Sequence, residues 1–150
     1  MSSLTVLTLV PGECERLPKA LESVSWADVL FCVIDSRAPQ ETIDLVRKYT
    51  DTAPVHEYVN AAAQRNWALP QITTEWTLVL DADEWVSDAL AERIQAIIKK
   101  PDSADGYNIL RHSYFLGKLI RYCGWHRDYN LRLFRTAKGH YLDKRVHSKV

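Results

Sequence analysis

The sequence predicts an α/β protein built on a mainly parallel sheet. Four short apolar runs alternate with segments of helical periodicity across residues 1–103. Three of those runs lead straight into turn residues or carboxylates, and the remaining residues read as strands and aromatic-rich loop. That alternation favours helices layered on a sheet, with a short basic β-rich part at the C-terminal end.

Residues 4–10 form a buried strand, ended by Pro11-Gly12. Leu17, Ala20, Leu21 and Val24 then recur at helical spacing, with Pro18 tolerable in a first turn. The continuous branched and aromatic run 29–34 suits a strand covered on both faces, and it stops at Asp35. Pro39 opens a second helix with Ile43, Val46 and Tyr49 as its stripe. Residues 55–59 give a short third strand. Residues 61–69 give a helix closed by Pro70, with Trp67 and Leu69 in the core. Residues 76–80 form the fourth strand and run into Asp81. Ser87 caps the next helix, with Asp88 at its favourable end and Leu90, Ile94, Ile97 and Ile98 as its stripe. Lys99, Lys100 and Pro101 end it. Residues 106–111 and 130–135 read as further strands, the second a partly buried edge whose Arg132 and Arg135 line a phosphate or acceptor groove or meet solvent.

A chain of 150 residues with 47% hydrophobic and 25% charged residues suits one globular domain, neither disordered nor fibrous. The longest apolar run is far below the roughly 20 residues of a membrane span. The first residues lack the basic lead of a signal peptide. Cys14, Cys32 and Cys123 make no close pair, which favours a reduced compartment over a disulfide framework or zinc site. Nineteen basic and nineteen acidic residues cancel, so net charge does not advertise a nucleic-acid partner. The total hides an asymmetry: residues 1–103 carry 9 basic and 16 acidic side chains, residues 104–150 carry 10 and 3. The basic part faces phosphates or an anionic membrane surface, or it packs against the acidic part.

Open α/β sheets bind ligands at the carboxyl ends of their strands. The sharpest feature there is Asp81-Ala82-Asp83, two carboxylates able to share one hard cation where the backbone turns. Magnesium or manganese takes oxygen ligands and keeps positions for phosphate oxygens, neutralising a leaving phosphate. Glu84 reads as a group supporting the metal ligands from behind, a charge at the start of the helix, or a residue without a functional role. Asp35 can accept hydrogen bonds from a base or ribose, or serve as a turn aspartate. Arg65 can reach a diphosphate, or lie at the surface. Neither a glycine-rich dinucleotide fingerprint nor a phosphate loop is present in the sequence. His112, His126, His140 and His147 lack zinc-cluster spacing. His147 follows Lys144-Arg145 and a branched residue, so it faces a phosphate, completes a metal shell or is merely structural. His126-Arg127-Asp128 imitates a kinase triplet without the rest of that signature.

These motifs together resemble family 2 glycosyltransferases of the nucleotide-sugar-dependent, Rossmann-like GT-A type, closest to the bacterial branch adding β-linked glucose or similar sugars to lipopolysaccharide core. The resemblance rests on LTLVPGECERLPKALESVSWADVLFCVIDS, then AAAQRNWALPQITTEWTLVLDADEWVS, then GWHRDYNLRLFRTAKGHYLDKRVH. It implies that Pro11, Gly12, Glu13 and Asp35 cradle the nucleotide, and that Arg65 lies near base or diphosphate. It also implies that Asp81 contacts ribose or shares the metal environment, that Asp83 is the principal ligand of Mn2+ or Mg2+, and that His147 closes the site. The implied reaction is inverting transfer of a sugar, glucose, from a UDP-sugar to a saccharide or lipid-linked acceptor. Lipopolysaccharide or cell-surface polysaccharide synthesis is the implied setting, in the cytoplasm or at the inner face of the cell membrane.

Three departures accompany the resemblance. Gly12 stands where the family usually has asparagine, the loop 35–40 lacks its second acidic residue, and Ser148 follows His147 where the branch has glutamate. That glutamate is a plausible general base, which leaves Glu84, Asp128 and Asp143 as weak substitutes. The chain also stops at Val150, short of the enzymes it resembles, so residues 1–150 are expected to be an incomplete GT-A domain. The alternatives are a catalytically weak or inactive nucleotide-sugar-binding relative, a nucleotidyltransferase, a phosphatase with an aspartate nucleophile, and a purely structural domain.

Overall fold

The structure is a computed structural model describing residues 2–119 and 128–142. The chain forms β1 (Leu4–Val10), α1 (Leu17–Glu22), β2 (Val29–Asp35), α2 (Gln40–Arg47), β3 (Val55–His56) and α3 (Ala61–Ala68). It continues with β4 (Trp76–Asp81), α4 (Asp88–Ile98), β5 (Gly106–Arg111), a small hairpin of β6 (Tyr114–Phe115) and β7 (Lys118–Leu119), and β8 (Asp128–Arg135). Among the described residues six strands make one sheet in the order β3-β2-β1-β4-β8-β5. The first four are mutually parallel, while β8 runs antiparallel to both of its neighbours. The C-terminal ends of β1, β2, β3 and β4 therefore share one side of the sheet.

Alternation along the strands divides the core between the faces. Leu4 and Val6 of β1 join Trp76, Leu78 and Leu80 of β4 beneath Ala91, Ile94 and Ile98 of α4. Val10, Cys32 and Ile34 meet Leu17, Leu21 and Val46 of α1 and α2. The opposite face packs Leu7, Phe31, Val33 and Val79 against Ala62 and Ala68 of α3. Both faces of β2 are thus covered, as its unbroken apolar run requires. Local capping agrees: Ser87 Oγ accepts from Leu90 N–H at 3.3 Å and Asn60 Oδ1 from Ala63 N–H at 2.8 Å.

Two expectations need correction. The third strand is the pair Val55–His56 and not 55–59, because β2 ends at Asp35, opposite His56, and offers no further partner. And β8 is no edge: β5 lies outside it and pairs along most of its length. Its arginines are accordingly paired. Arg132 meets Asp81 at 3.3 Å and Glu84 at 3.2 Å, while Arg135 meets Glu75, and Asp105 at 3.4 Å. Arg111 of β5 also reaches Glu84, at 3.4 Å. For these arginines, packing of the basic part against the acidic part is the observed arrangement.

After β8 the chain turns back past Phe134. A β-carbon on Gly139 would stand 2.1 Å from Phe134 Cε2, inside any permissible contact with a buried ring. Gly139→Ala is expected to destabilise the fold by about 1–3 kcal/mol through overpacking. The midpoint of urea denaturation at unchanged slope checks this.

Candidate functional site

The shared strand ends open into a cavity of about 400 Å³. Pro11, Glu13 and Cys14 after β1, Asp35 of β2, Arg65 of α3, and Asp81 and Asp83 at the end of β4 all line it. Gly12 lies on the same loop without lining the cavity. Tyr58, Ala61 and Gln64 also line it, and no sequence reading assigns them to the site. Glu84 and Asp128 lie outside the lining. Asp143 and His147 lie outside the described residues, as do Cys123, His126, Arg127 and Ser148.

Asp35 is buried, and Arg37 grips its carboxylate. The Arg37 backbone N–H and Nε–H donate to Oδ1 at 3.0 and 3.2 Å, and Nη2 donates to Oδ2 at 2.8 Å. These side-chain bonds, reinforced by the backbone bond, hold the Asp35 carboxyl below its ordinary range. Asp35 therefore presents the cavity with an ionised group that can only accept hydrogen bonds.

Asp81 is held from two sides. Arg65 Nη2 donates to Oδ1 at 2.8 Å, and Arg132 Nη2 donates to Oδ2 at 3.3 Å. The turn beyond it is closed reciprocally: Asp81 N–H donates to Glu84 Oε2 at 3.1 Å, and Glu84 N–H donates to the Asp81 carbonyl at 3.0 Å. Glu84 thus shapes the turn, and its other oxygen meets Arg132 and Arg111. Asp128 in turn accepts from Arg111 Nε at 2.7 Å and Asn130 Nδ2 at 2.9 Å. Asp83 alone of these carboxylates is exposed, with no ion pair among the described residues.

This donor set suits one kind of cation site. Among the described residues no three His, Cys, Asp or Glu side chains converge to cage a metal. Each Asp81 oxygen already accepts from a guanidinium group, whereas Asp83 and Glu13 are exposed on the cavity wall with no ion pair among the described residues and are the carboxylates most open to a cation. One carboxylate completed by water and substrate phosphates is the arrangement magnesium commonly accepts.

Contacts distant in sequence support the wall. The Arg65 guanidinium carbon lies 5.0 Å from the centre of the Tyr141 ring, within cation–π range. Asn66 pins Tyr141 through two backbone bonds of 2.8 Å, one donated and one accepted by its amide. Burial pushes the Tyr141 phenol up, against the opposing pull of Arg65 and Arg132. Gln64, almost wholly buried, bonds His56 Nδ1 at 2.7 Å and the His56 carbonyl at 3.2 Å, and Trp67 stacks on the His56 ring at 4.0 Å. The motif QRNWAL carried the only sequence signal for this cluster. Cys14 Sγ reaches the Ala82 carbonyl at 3.4 Å, tying the first loop to the Asp81 turn. Cys32 is sealed in the core, where burial pushes its thiol to about 12.

The fold and this crevice define an α/β protein of the Rossmann-like kind, with its cavity at the carboxyl ends of parallel strands. The sequence matches Glycosyl transferase family 2 over residues 5–149, and the chain belongs to that family. It is 30% identical over 98% of its length to the lipopolysaccharide core biosynthesis glycosyltransferase LpsC of Rhizobium meliloti (strain 1021). It spans 56% of that relative's length. Among solved structures it resembles S. aureus TarS 1-349 in complex with UDP-GlcNAc, with a TM-score of 0.51 and 20% identity, covering 64% of this chain and 31% of that one. It also resembles the 4-diphosphocytidyl-2C-methyl-D-erythritol synthase of Anaerococcus prevotii DSM 20548, with a TM-score of 0.57 and 16% identity, covering 91% of this chain and 71% of that one. These two likenesses concern the fold, which is the GT-A type that the resemblance implied. No helix among the described residues is long and apolar enough to cross a membrane.

Proposed function

We propose that residues 1–150 form the donor-binding part of an inverting, cation-dependent glycosyltransferase. It takes glucose from UDP-glucose and passes it to a saccharide or lipid-linked acceptor in lipopolysaccharide or cell-surface polysaccharide synthesis, in the cytoplasm at or near the membrane face. The observation carrying this reading is the single cavity that gathers Pro11, Glu13, Asp35, Arg65, Asp81 and Asp83 at the ends of three parallel strands. Family membership and the likeness to LpsC support the sugar chemistry, and TarS, crystallised with UDP-GlcNAc, supports the nucleotide-sugar class.

Each residue has a role in this reading. Asp35 accepts from the base, Asp81 accepts from ribose hydroxyls, and Arg65 supplies positive charge beside the diphosphate. Asp83 holds Mn2+ or Mg2+, which when bound neutralises charge on the departing diphosphate. His147 closes the site. The acceptor hydroxyl attacks the anomeric carbon opposite the leaving group, and a base takes its proton.

One observation favours a second reading, binding without turnover. Of the three weak candidates for the general base, Glu84 and Asp128 are engaged by arginines and lie off the cavity wall, and Asp143 lies outside the described residues. Incubation of the chain with UDP-glucose, Mn2+ and core oligosaccharide separates the two. Acceptor-dependent UDP release supports the transferase; saturable UDP-glucose binding without release supports the binding relative. Absence of binding overturns both.

A further inference from the structure

We infer that Arg132 is a positioning residue for the nucleotide site, re-aimed by a β-bulge so that it locks Asp81 in place. The inference rests on the proposed role of Asp81 toward the nucleoside. Between β5 and β8, Tyr107 faces Leu133 but Asn108 faces Leu131. Arg132 is therefore an extra residue with no partner on β5. Bulges of this kind bend a strand and redirect a side chain, often beside an active site. Arg132 also lies one step past Leu78↔Leu133, the last paired position between β4 and β8.

Freed from the ladder, the side chain reaches the strand-end turn. Its Nη2 bridges Asp81 Oδ2 at 3.3 Å and Glu84 Oε1 at 3.2 Å. Burial opposes the charge of Arg132, yet the facing Asp81 and Glu84 carboxylates outweigh it and hold the guanidinium firmly protonated. Arg65 takes the other Asp81 oxygen, so the carboxylate is fixed in rotation as well as in charge. Arg65, Arg132 and Arg111 balance Asp81, Glu84 and Asp128 there, and Asp83 makes no ion pair among the described residues. Arg132 does not line the cavity and acts only through Asp81 and the turn.

Asp81 and Asp83 then have separable tasks: Arg132 secures the nucleoside contact and has no part in holding the cation. The test is calorimetry of UDP with Mn2+ and again with chelator, on the unaltered chain, Arg132→Met, Arg132→Lys and Asp83→Ala. Loss of a charge-assisted restraint is expected to weaken UDP about tenfold in Arg132→Met, with and without Mn2+ alike, leaving the enhancement by Mn2+ intact. Arg132→Lys, which restores the charge, recovers most of the loss, and Asp83→Ala removes the enhancement instead. If Arg132→Met does not fold, Arg132→Lys is read alone. A two- to fourfold weakening, equal in both conditions, supports the assignment, since the lysine ammonium is more strongly hydrated and less rigidly held than the planar guanidinium whose Nη2 bridges the two carboxylates. Unchanged UDP affinity in folded Arg132→Met, or in Arg132→Lys where it is read alone, overturns the assignment while leaving the nucleotide site standing, as does a selective loss of the Mn2+ effect. No UDP binding by the unaltered chain overturns the nucleotide reading and this inference with it.

Discussion

Asp83→Ala is expected to remove the cation-dependent part of UDP binding while leaving the fold intact. Asp83 is exposed and makes no ion pair among the described residues, so its loss breaks no packing and orphans no partner. Its proposed task is to hold the cation that meets the diphosphate. Loss of a group merely supporting a metal ligand typically costs about 10–100-fold in metal affinity, and loss of the ligand itself should exceed that. Manganese titration at fixed UDP should show a saturable rise in affinity for the unaltered chain and none for the variant, with superimposable thermal unfolding curves. Asp83→Asn is the finer probe, because it keeps the shape and one oxygen while removing the charge.

The largest effect on stability is expected at Trp76. It is wholly buried at the start of β4, within the core that spans β1, β4 and α4. Tyr107 lies 6.2 Å away, centre to centre, and the Arg135 guanidinium sits 4.7 Å from its ring. Trp76→Ala is expected to cost about 3–5 kcal/mol, a large share of the roughly 5–15 kcal/mol that holds a domain together. Trp76→Phe should cost much less. It keeps most of the ring and removes an indole N–H that is buried without a partner among the described residues. Urea denaturation followed by far-UV circular dichroism checks both. Equal costs for the two variants would contradict the assignment of the contribution to ring burial that tryptophan and phenylalanine share.

The legible part of this protein was local. Apolar runs identified the strands, and Pro11, Asp35 and Asp81 fell at their ends because a parallel sheet must turn there. Ser87 acts as the cap its position suggested. The parallel arrangement then brings Asp35, Arg65, Asp81 and Asp83 around one cavity, although they are spread over 49 residue numbers from first to last. What stayed hidden depends on pairing across the sheet. Arg132 read as one residue of a basic strand face, because nothing in LRLFR announces that its neighbour β5 skips a position there. The ties from Asn66 to Tyr141 and from Gln64 to His56 join polar groups whose partners only the tertiary fold selects. The two arginines that engage Asp81 arrive from α3 and β8, and its spacing to Asp83 carries no sign of either.

The central claim is that the strand-end cavity receives a nucleoside diphosphate. Titration of the isotope-labelled chain with UDP and Mg2+, followed by amide nuclear magnetic resonance, tests it directly. Saturable shifts should concentrate at Gly12, Glu13, Cys14, Asp35, Arg65 and Asp81–Asp83, and weaken when Mg2+ is chelated. Shifts confined to the opposite end of the sheet, around Thr73, Thr74 and Thr136, or no saturable shifts at all, would contradict the account.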